Sequence, residues 1–452
     1  MRTRRSFLSE TAALGACAFA YGLGAPRARA ASTGPSSLSG SVFNLTVGRA
    51  TVAVDGGSGG AVLVNGGFPA PLLRWREGDD LTINVANHLD EDTSIHWHGV
   101  LLPAGMDGVP GVSFPGIRPH ETFTYRFRVR QAGTYWYHSH SGFQEQLGHY
   151  GPIIIDPQGE DPVRYDREHV IMLGDWLNGD PERVFRKLKK SSEAFNFQKR
   201  TIGDFIADAG SDFSAAVAER AMWGGMRMAP TDIADVTGAV YAYLVNGCGP
   251  GDNWTGLFNP GERVRLRIIN ASAMTIFNLR IPGLPMTVVG ADGLDVAPVE
   301  TDEIQIGVAE TYDVVVTPAD RAYTLFAETI DRSGFARATL SPRPGMTAEV
   351  PALRKRPVLT MRDMAMSHGS HEASGHAPAQ PAATEHHPAG HGEMDHGAMS
   401  HGGGAVQEHN HPTGVGVDMI AETPANRLGD RGVGLEDVDH RVLTYSQLKS
   451  LA

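Results

Sequence analysis

Residues 78–87 read GDDLTINVAN and residues 261–270 read GERVRLRIIN. Both open on glycine and an acid, alternate apolar with other positions, and close on asparagine. Alternation with a period of two marks a strand with one buried face. Two further pairs lie at nearly the same separation: LVNGGFP (63–69) with LVNGCGP (244–250), and ETFTYRFRV (121–129) with ETYDVVVTP (310–318). The three offsets are 183, 181 and 189 residues. A near-constant offset is the mark of an internal duplication. The expectation is an all-β chain with two tandem β-sandwich domains, at about 40–158 and 160–345.

The second copy is interrupted by DPERVFRKLKKSSEAFNFQ (180–198), where Asp180 is placed to cap a helix and Pro181 to open it. A small helical insertion is expected over about 180–222. The following MWGGMRM (222–228) fits a soft-metal site or, more commonly, loop and core methionines.

The bulk numbers agree with this plan. A length of 452 residues suits two or three domains, and 54 glycines with 28 prolines favour turns and short strands. The net charge of −12 argues against nucleic acid as a partner. At the N-terminus, TRRSFLSE (3–10) pairs Arg4 with Arg5 ahead of an apolar run to about Leu23, and small residues surround Ala30. Residues 1–30 therefore read as a twin-arginine signal peptide, and the run is too short and glycine-rich for a membrane anchor. Their removal takes away five arginines and one glutamate and moves the charge from −12 to −16. Such export delivers folded, often cofactor-loaded proteins to the periplasm. No later apolar run is long enough to cross a membrane. Of two cysteines, Cys17 leaves with the leader and Cys248 stays alone, so no internal disulfide is expected.

The chemistry concentrates in IHWHG (95–99) and TYWYHSHSG (134–142). Residues i and i+2 of a strand face the same side, so His96 projects with His98, and His138 with His140. Two such pairs on neighbouring strands gather four imidazoles, which suit zinc, copper, iron or nickel; spacing alone does not choose among them. The duplication supplies a control. The matching stretches ASAMTIFNLR (271–280) and AYTLFAETI (322–330) hold no histidine. The fold does not need the imidazoles, which points to a metal.

Three segments carry a family resemblance: HWHGVLLPAGMDGVPGVSFPGI (96–117), ETFTYRFRVRQAGTYWYHSHSGFQEQLGHYGPIIIDP (121–157) and FNPGERVRLRIINASAMTIFNLRIPG (258–283). They closely resemble periplasmic copper-resistance multicopper oxidases of the CopA type, and the likeness covers nearly the whole chain after the leader. The resemblance implies cupredoxin-like Greek-key sandwiches. It implies a type 2 copper on His96 and type 3 coppers on His98, His138 and His140. Asp107 of the MDG loop matches an acid thought to deliver protons to oxygen; as a turn aspartate before glycine it has an equally good reading. The family pattern adds a third cupredoxin domain with HPxHLHG and HCHxxxH segments. These supply the other four trinuclear ligands and the type 1 copper. Neither segment occurs here, and Cys248 in NGCGPGDNW has no histidine beside it. Residues 416–452 are expected to begin the connection to that third domain, with the chain truncated before it; the alternative is a separate chain that bears it.

Residues 361–411 hold ten of the nineteen histidines and five methionines. Their glycine, alanine and proline content predicts no packed core. Residues 346–415 are expected to form a flexible, disordered Met/His-rich linker. Met394, His396, Met399 and His401 are candidate copper ligands, since thioether suits Cu(I) and imidazole suits Cu(II); an inert linker is the alternative.

Three functions are open. One is a multicopper oxidase that oxidises Cu(I) or phenols and reduces O2 to water. The second is a periplasmic copper-sequestering protein without turnover. The third is a zinc protein built on the HxH pairs. With four of eight ligands and no electron-entry site, the chain alone is expected to be inactive as an oxidase. Copper binding is expected to weaken as pH falls through about 6.5, where free imidazole protonates.

Overall fold

The computed structural model describes residues 35–234, 236–360, 363 and 426–451, with the backbone of Arg27–Arg29. The rest of residues 1–30, expected to be a leader, lies outside the described residues. Residues 1–358 and 428–452 form one compact unit and residues 359–427 a second. Of that second unit, residues 359, 360, 363, 426 and 427 are described.

The first sandwich contains β1 (Arg27–Arg29), β2 (Ser37–Ser39), β3 (Val42–Val54), β4 (Gly57–Val64), β5 (Leu72–Arg76), β6 (Asp80–Asn87), β7 (His96–His98), β8 (Thr122–Arg128), β9 (Gly133–His138) and β10 (Tyr150–Asp156). One sheet runs β1-β3-β6-β8 with β4 on β3; the other runs β2-β5-β10-β9-β7. Leu81, Ile83 and Val85 of β6 interleave with Trp75, Trp97, Tyr125 and Tyr137 in the core between them.

The second sandwich follows as β11 (Arg167–Leu177), β12 (Tyr241–Val245), β13 (Trp254–Leu257), β14 (Val264–Asn270), β15 (Phe277–Arg280), β16 (Met286–Ala291), β17 (Leu294–Thr301), β18 (Glu303–Ile306), β19 (Thr311–Val316), β20 (Tyr323–Thr329) and β21 (Phe335–Ser341). Its sheets run β12-β11-β14-β19-β16-β17 and β13-β21-β20-β15-β18. The three matched segments take the same places in each copy. β6 and β14 each pair in parallel with the long preceding strand and antiparallel with β8 or β19. β4 and β12 each flank that long strand.

The matched asparagines explain why these letters recur. Asn87 donates to the carbonyls of Glu91, Ile117 and Arg118 and accepts from Leu89. Asn270 donates to Thr275, Ile306 and Gly307 and accepts from Ser272. One buried amide thus closes the same loop in both copies. Asn65 and Asn246 of the LVNG turns share a φ of 51° and each bonds back across to the neighbouring strand. Asparagine tolerates this left-handed backbone better than other non-glycine residues.

Between β11 and β12 lie α1 (Pro181–Leu188), α2 (Ile202–Ser211) and α3 (Phe213–Gly225). Asp180 caps α1 by accepting from the Glu182 N–H, with Pro181 at the first position. Among the described residues no helix is long and apolar enough to cross a membrane.

Two expected boundaries move. Residues 346–358 are packed chain, not free linker. Arg354 bonds both Glu303 and Glu328, whose side chains are fully buried on the second sandwich. A buried carboxylate without a partner costs several kcal/mol, so the two acids hold this segment in place. Residues 428–451 pack there as well. Val442 bridges to Glu303, Ser450 bridges to Val296, and Leu435, Val442 and Leu443 are buried.

Asn270→Ala should lower unfolding stability by about 3 kcal/mol, because three buried carbonyls lose a donor and each unsatisfied group costs roughly 1–3 kcal/mol before relaxation. Urea unfolding measures this, with exposed-side Asn84→Ala as the comparison.

Candidate metal centre

β7 is only three residues long, and its register on β9 decides everything about the site. His96 lies opposite His138, Trp97 opposite Tyr137, and His98 opposite Trp136. Trp97 and Tyr137 turn into the first core and are fully buried. Alternation then sends His96, His98 and His138 to the other face, where His140 joins them just past the strand. The centroids of His96 and His140 are 4.9 Å apart, and those of His138 and His140 4.8 Å. Among the described residues, His96, His138 and His140 form a group whose ligand atoms lie within 4.8 Å of one another. His98 adjoins it, with Nδ1 3.3 Å from His138 Nε2.

Two of the rings are oriented from behind. His96 Nδ1 donates to the Asp107 carbonyl at 2.8 Å, and the Asp107 carboxylate is farther, at 3.4 Å. A carbonyl only accepts, so the proton sits on Nδ1 and the Nε2 lone pair is left for a cation. His138 Nδ1 meets the Glu145 carboxylate at 3.0 Å, with the same consequence. Two ring nitrogens as close as His98 Nδ1 and His138 Nε2 are bridged by a proton or by a cation. The donor set, four imidazoles with two outer nitrogens already engaged, fits a bound metal.

Burial, followed by the neighbouring imidazoles, holds His98 down to about 4. Burial also lowers His96 and His140. Neutral imidazole is the form that binds metal.

The Asp107 carbonyl is brought to His96 by Gly108. Its φ is +81°, and a Cβ there would lie 1.8 Å from the Ile95 carbonyl oxygen. The MDG loop thus closes directly on the strand that carries IHWHG. On the other side, Trp136 stacks on His138 at 4.1 Å and 11°, and on His98 at 5.1 Å and 28°. Trp136 belongs to a third apolar cluster, between the sandwiches, with Phe68, Tyr150, Met172, Trp176 and Leu244.

The loop after β9 adds three residues to which the sequence reading gave no role. Gln144 accepts from Thr93 and Ser139 and donates to the Asp92 carbonyl. Glu145 holds His138. Gln146 donates to Asp175 and accepts from Tyr241, both on the second sandwich. The run QEQ, one residue past HSHSG, was the available signal: three polar residues in succession close to two candidate ligands need partners if they are buried.

Elsewhere the candidates separate. The equivalent face of the second sandwich carries Asn278 and Arg280 on β15 and Phe326 and Glu328 on β20, whose registers match β7 on β9 in kind. Cys248 lies in the second core, where burial pushes its thiol up to about 11, away from the thiolate a metal needs. Trp223 of the MWGGMRM stretch is buried, while Met228 is exposed. Met394, His396, Met399 and His401 lie outside the described residues.

Models of the multicopper oxidase family match residues 46–160 and 167–345. A copper resistance protein A homolog of Pseudomonas syringae pv. tomato is 55% identical over 92% of this chain and 72% of its own length. Copper resistance protein A of Escherichia coli is 48% identical over 99% of this chain and 78% of its own. Among solved structures, the laccase from Botrytis aclada superposes with a TM-score of 0.53 at 27% identity, over 72% of this chain and 56% of that one. The sandwiches are therefore cupredoxin folds, and the chain belongs to the multicopper oxidase family, in the branch whose named members are copper resistance proteins A.

Proposed function

We propose that this chain is a periplasmic copper-resistance protein whose first cupredoxin domain, residues 40–158, carries one half of a trinuclear copper site. His96 would hold a type 2 copper, and His98, His138 and His140 would hold type 3 coppers. Among its described residues, the domain at 160–345 adds no histidine to this site. The remaining ligands and the type 1 copper lie on a third cupredoxin domain, in further polypeptide or on a separate chain. Once completed, the site oxidises Cu(I) or phenolic substrates and reduces O2 to water. Copper supplies the one-electron chemistry when bound. The chain's own residues orient, exclude and deliver. The Asp107 carbonyl and Glu145 fix two imidazoles, and Trp136 walls one side. The Asp107 carboxylate, one third exposed, is placed to pass protons between solvent and the site. Export by a twin-arginine leader over residues 1–30 fits a protein loaded before crossing. Met394, His396, Met399 and His401 would gather copper ahead of the site.

The observation that carries this reading is the convergence of four imidazoles on one face, two with their outer nitrogens already bonded. His140 is exposed, so the face can bind copper without a partner. That favours sequestration as the activity of the chain taken alone.

The purified 452-residue chain should bind copper, show no intense blue colour and turn over phenols negligibly. His96→Ala with His138→Ala should remove site-bound copper, read by equilibrium dialysis. Full oxidase turnover by the chain alone would overturn the division of ligands proposed here.

The lowered imidazoles change the pH expectation. A ring that protonates only at lower pH competes with copper only at lower pH, so binding survives the fall through 6.5. Apparent affinity should fall less from pH 7.5 to 6 than from 5 to 3.5, the range in which His98, held down to about 4, takes up its proton. Calorimetry across this range checks it, and a decline that begins at 6.5 would contradict it.

Gly108→Ala should weaken copper binding at least about tenfold, because it moves the carbonyl behind His96. Gly111→Ala has a comparable φ of +79° but nothing within 4 Å. It should carry only the backbone cost, of about 1 kcal/mol in unfolding.

A further inference from the structure

Gln144, Glu145 and Gln146 stand side by side and face three different ways. The outer two are anchors. Gln144 ties the loop to the strand entering IHWHG, and Gln146 ties it to Asp175 and Tyr241. Between these fixed points, the Glu145 carboxylate accepts from the Nδ1 of His138, at 3.0 Å. We propose that Glu145 is a positioning residue. Its carboxylate fixes the tautomer and the ring flip of His138, so that Nε2 always presents its lone pair to the copper site. The proposal rests on the reading of His138 as a copper ligand.

The argument is one of geometry and donor chemistry. A neutral imidazole has a single N–H, and a carboxylate can only accept. Their contact therefore assigns the hydrogen to Nδ1. Trp136, parallel to the His138 ring within 11° at 4.1 Å, fixes the ring plane but not which edge faces the site. A half-turn of the ring within that plane would leave the stacking almost unchanged and would exchange Nδ1 for a carbon. Glu145 breaks this near-degeneracy. It does not join the ligands themselves, since the atoms grouped within 4.8 Å are those of His96, His138 and His140, and the carboxylate lies on the opposite edge of the ring. His96 is held by a neutral carbonyl and His138 by an anion. The negative charge behind His138 makes it the stronger electron donor of the two, as in other carboxylate–histidine–metal arrangements.

The test separates the tautomer from the metal. In metal-free protein labelled with 15N-histidine, two-bond proton–nitrogen spectra report which nitrogen of each ring carries hydrogen, and His138→Gln assigns the signal. The wild type should show His138 as the Nδ1–H form. Glu145→Gln and Glu145→Ala should lose that bias. Both variants should still fold, because the Glu145 side chain is 25% exposed, and thermal unfolding verifies this. Titrated with copper alone, they should keep the wild-type stoichiometry and bind about 10- to 100-fold more weakly. A wild-type His138 in the Nε2–H form would overturn the proposal. So would Glu145 variants with unchanged tautomer and affinity within twofold, provided His138→Gln loses copper. If His138→Gln itself binds copper as tightly as the wild type, the ligand reading fails instead, whatever the tautomer spectra show.

Discussion

The pairing of β7 with β9 is the constraint on which the site depends. Side chains alternate strictly along a strand, so a slip of one residue would exchange every inward group for an outward one. Trp97 decides the matter. Its ring lies 5.1 Å from Tyr125 and 5.6 Å from Trp75, in the centre of the first core. Burying a large aromatic side chain is worth several times the thermal energy, well over about 2 kcal/mol. Exposing Trp97 and Tyr137 to water while burying His96 and His98 is therefore excluded. The tryptophan in HWHG thus aims both histidines that flank it.

The second sandwich shows what the same frame does without that chemistry. Its strands β15 and β20 pair as β7 and β9 do, with Phe277, Leu279, Leu325 and Ala327 inward. The outward positions carry an ionic network in place of imidazoles. Glu303 and Glu328 are fully buried, and Arg354, Arg332 and His440 surround them. Gln305 donates to Asn278 and to the Val433 carbonyl. In one copy this face gathers four imidazoles. In the other it is satisfied by the chain's own groups: Arg332 of the sandwich itself, Arg354 from residues 349–358 and His440 from residues 428–445.

This difference also explains which parts were legible in the sequence. The strands of the frame could be read because their constraints are local and repeated: the period of two in GDDLTINVAN, the asparagine that closes its loop, the asparagine in the left-handed turn of LVNG. The four histidines could be read because i and i+2 share a face. The order of residues 346–358 and 428–451 could not. It depends on buried Glu303 and Glu328, which look like ordinary strand acids until the fold removes their water. Asp107 was legible as a residue but not as a contact. Its main-chain carbonyl, not its carboxylate, is the nearer partner of His96, and a carbonyl leaves no trace in the one-letter sequence. The role of Glu145 in HSHSGFQEQ was not legible, because its partner His138 lies seven residues back across a turn.

The second sandwich contributes no imidazole, but the ligand face is not independent of it. Trp136 is fully buried in the cluster between the sandwiches, beside Met172, Trp176 and Leu244 of the second, and its free face is the one against which His138 stacks. Asp175, buried on β11, accepts from the backbone of Ala273, Met274 and Thr275 and from Gln146. Burial raises its carboxyl, so those donors are what keep it engaged as an acceptor. Thr134 on β9 bonds Asp313 and Arg267 across the same interface. Three independent contacts thus run from β9 and its following loop into the second domain. A ligand must be held to within a fraction of an ångström to favour bound metal over water. A three-residue strand at the edge of a five-stranded sheet cannot supply that stiffness alone. The copy without imidazoles on this face is the buttress for the copy that has them.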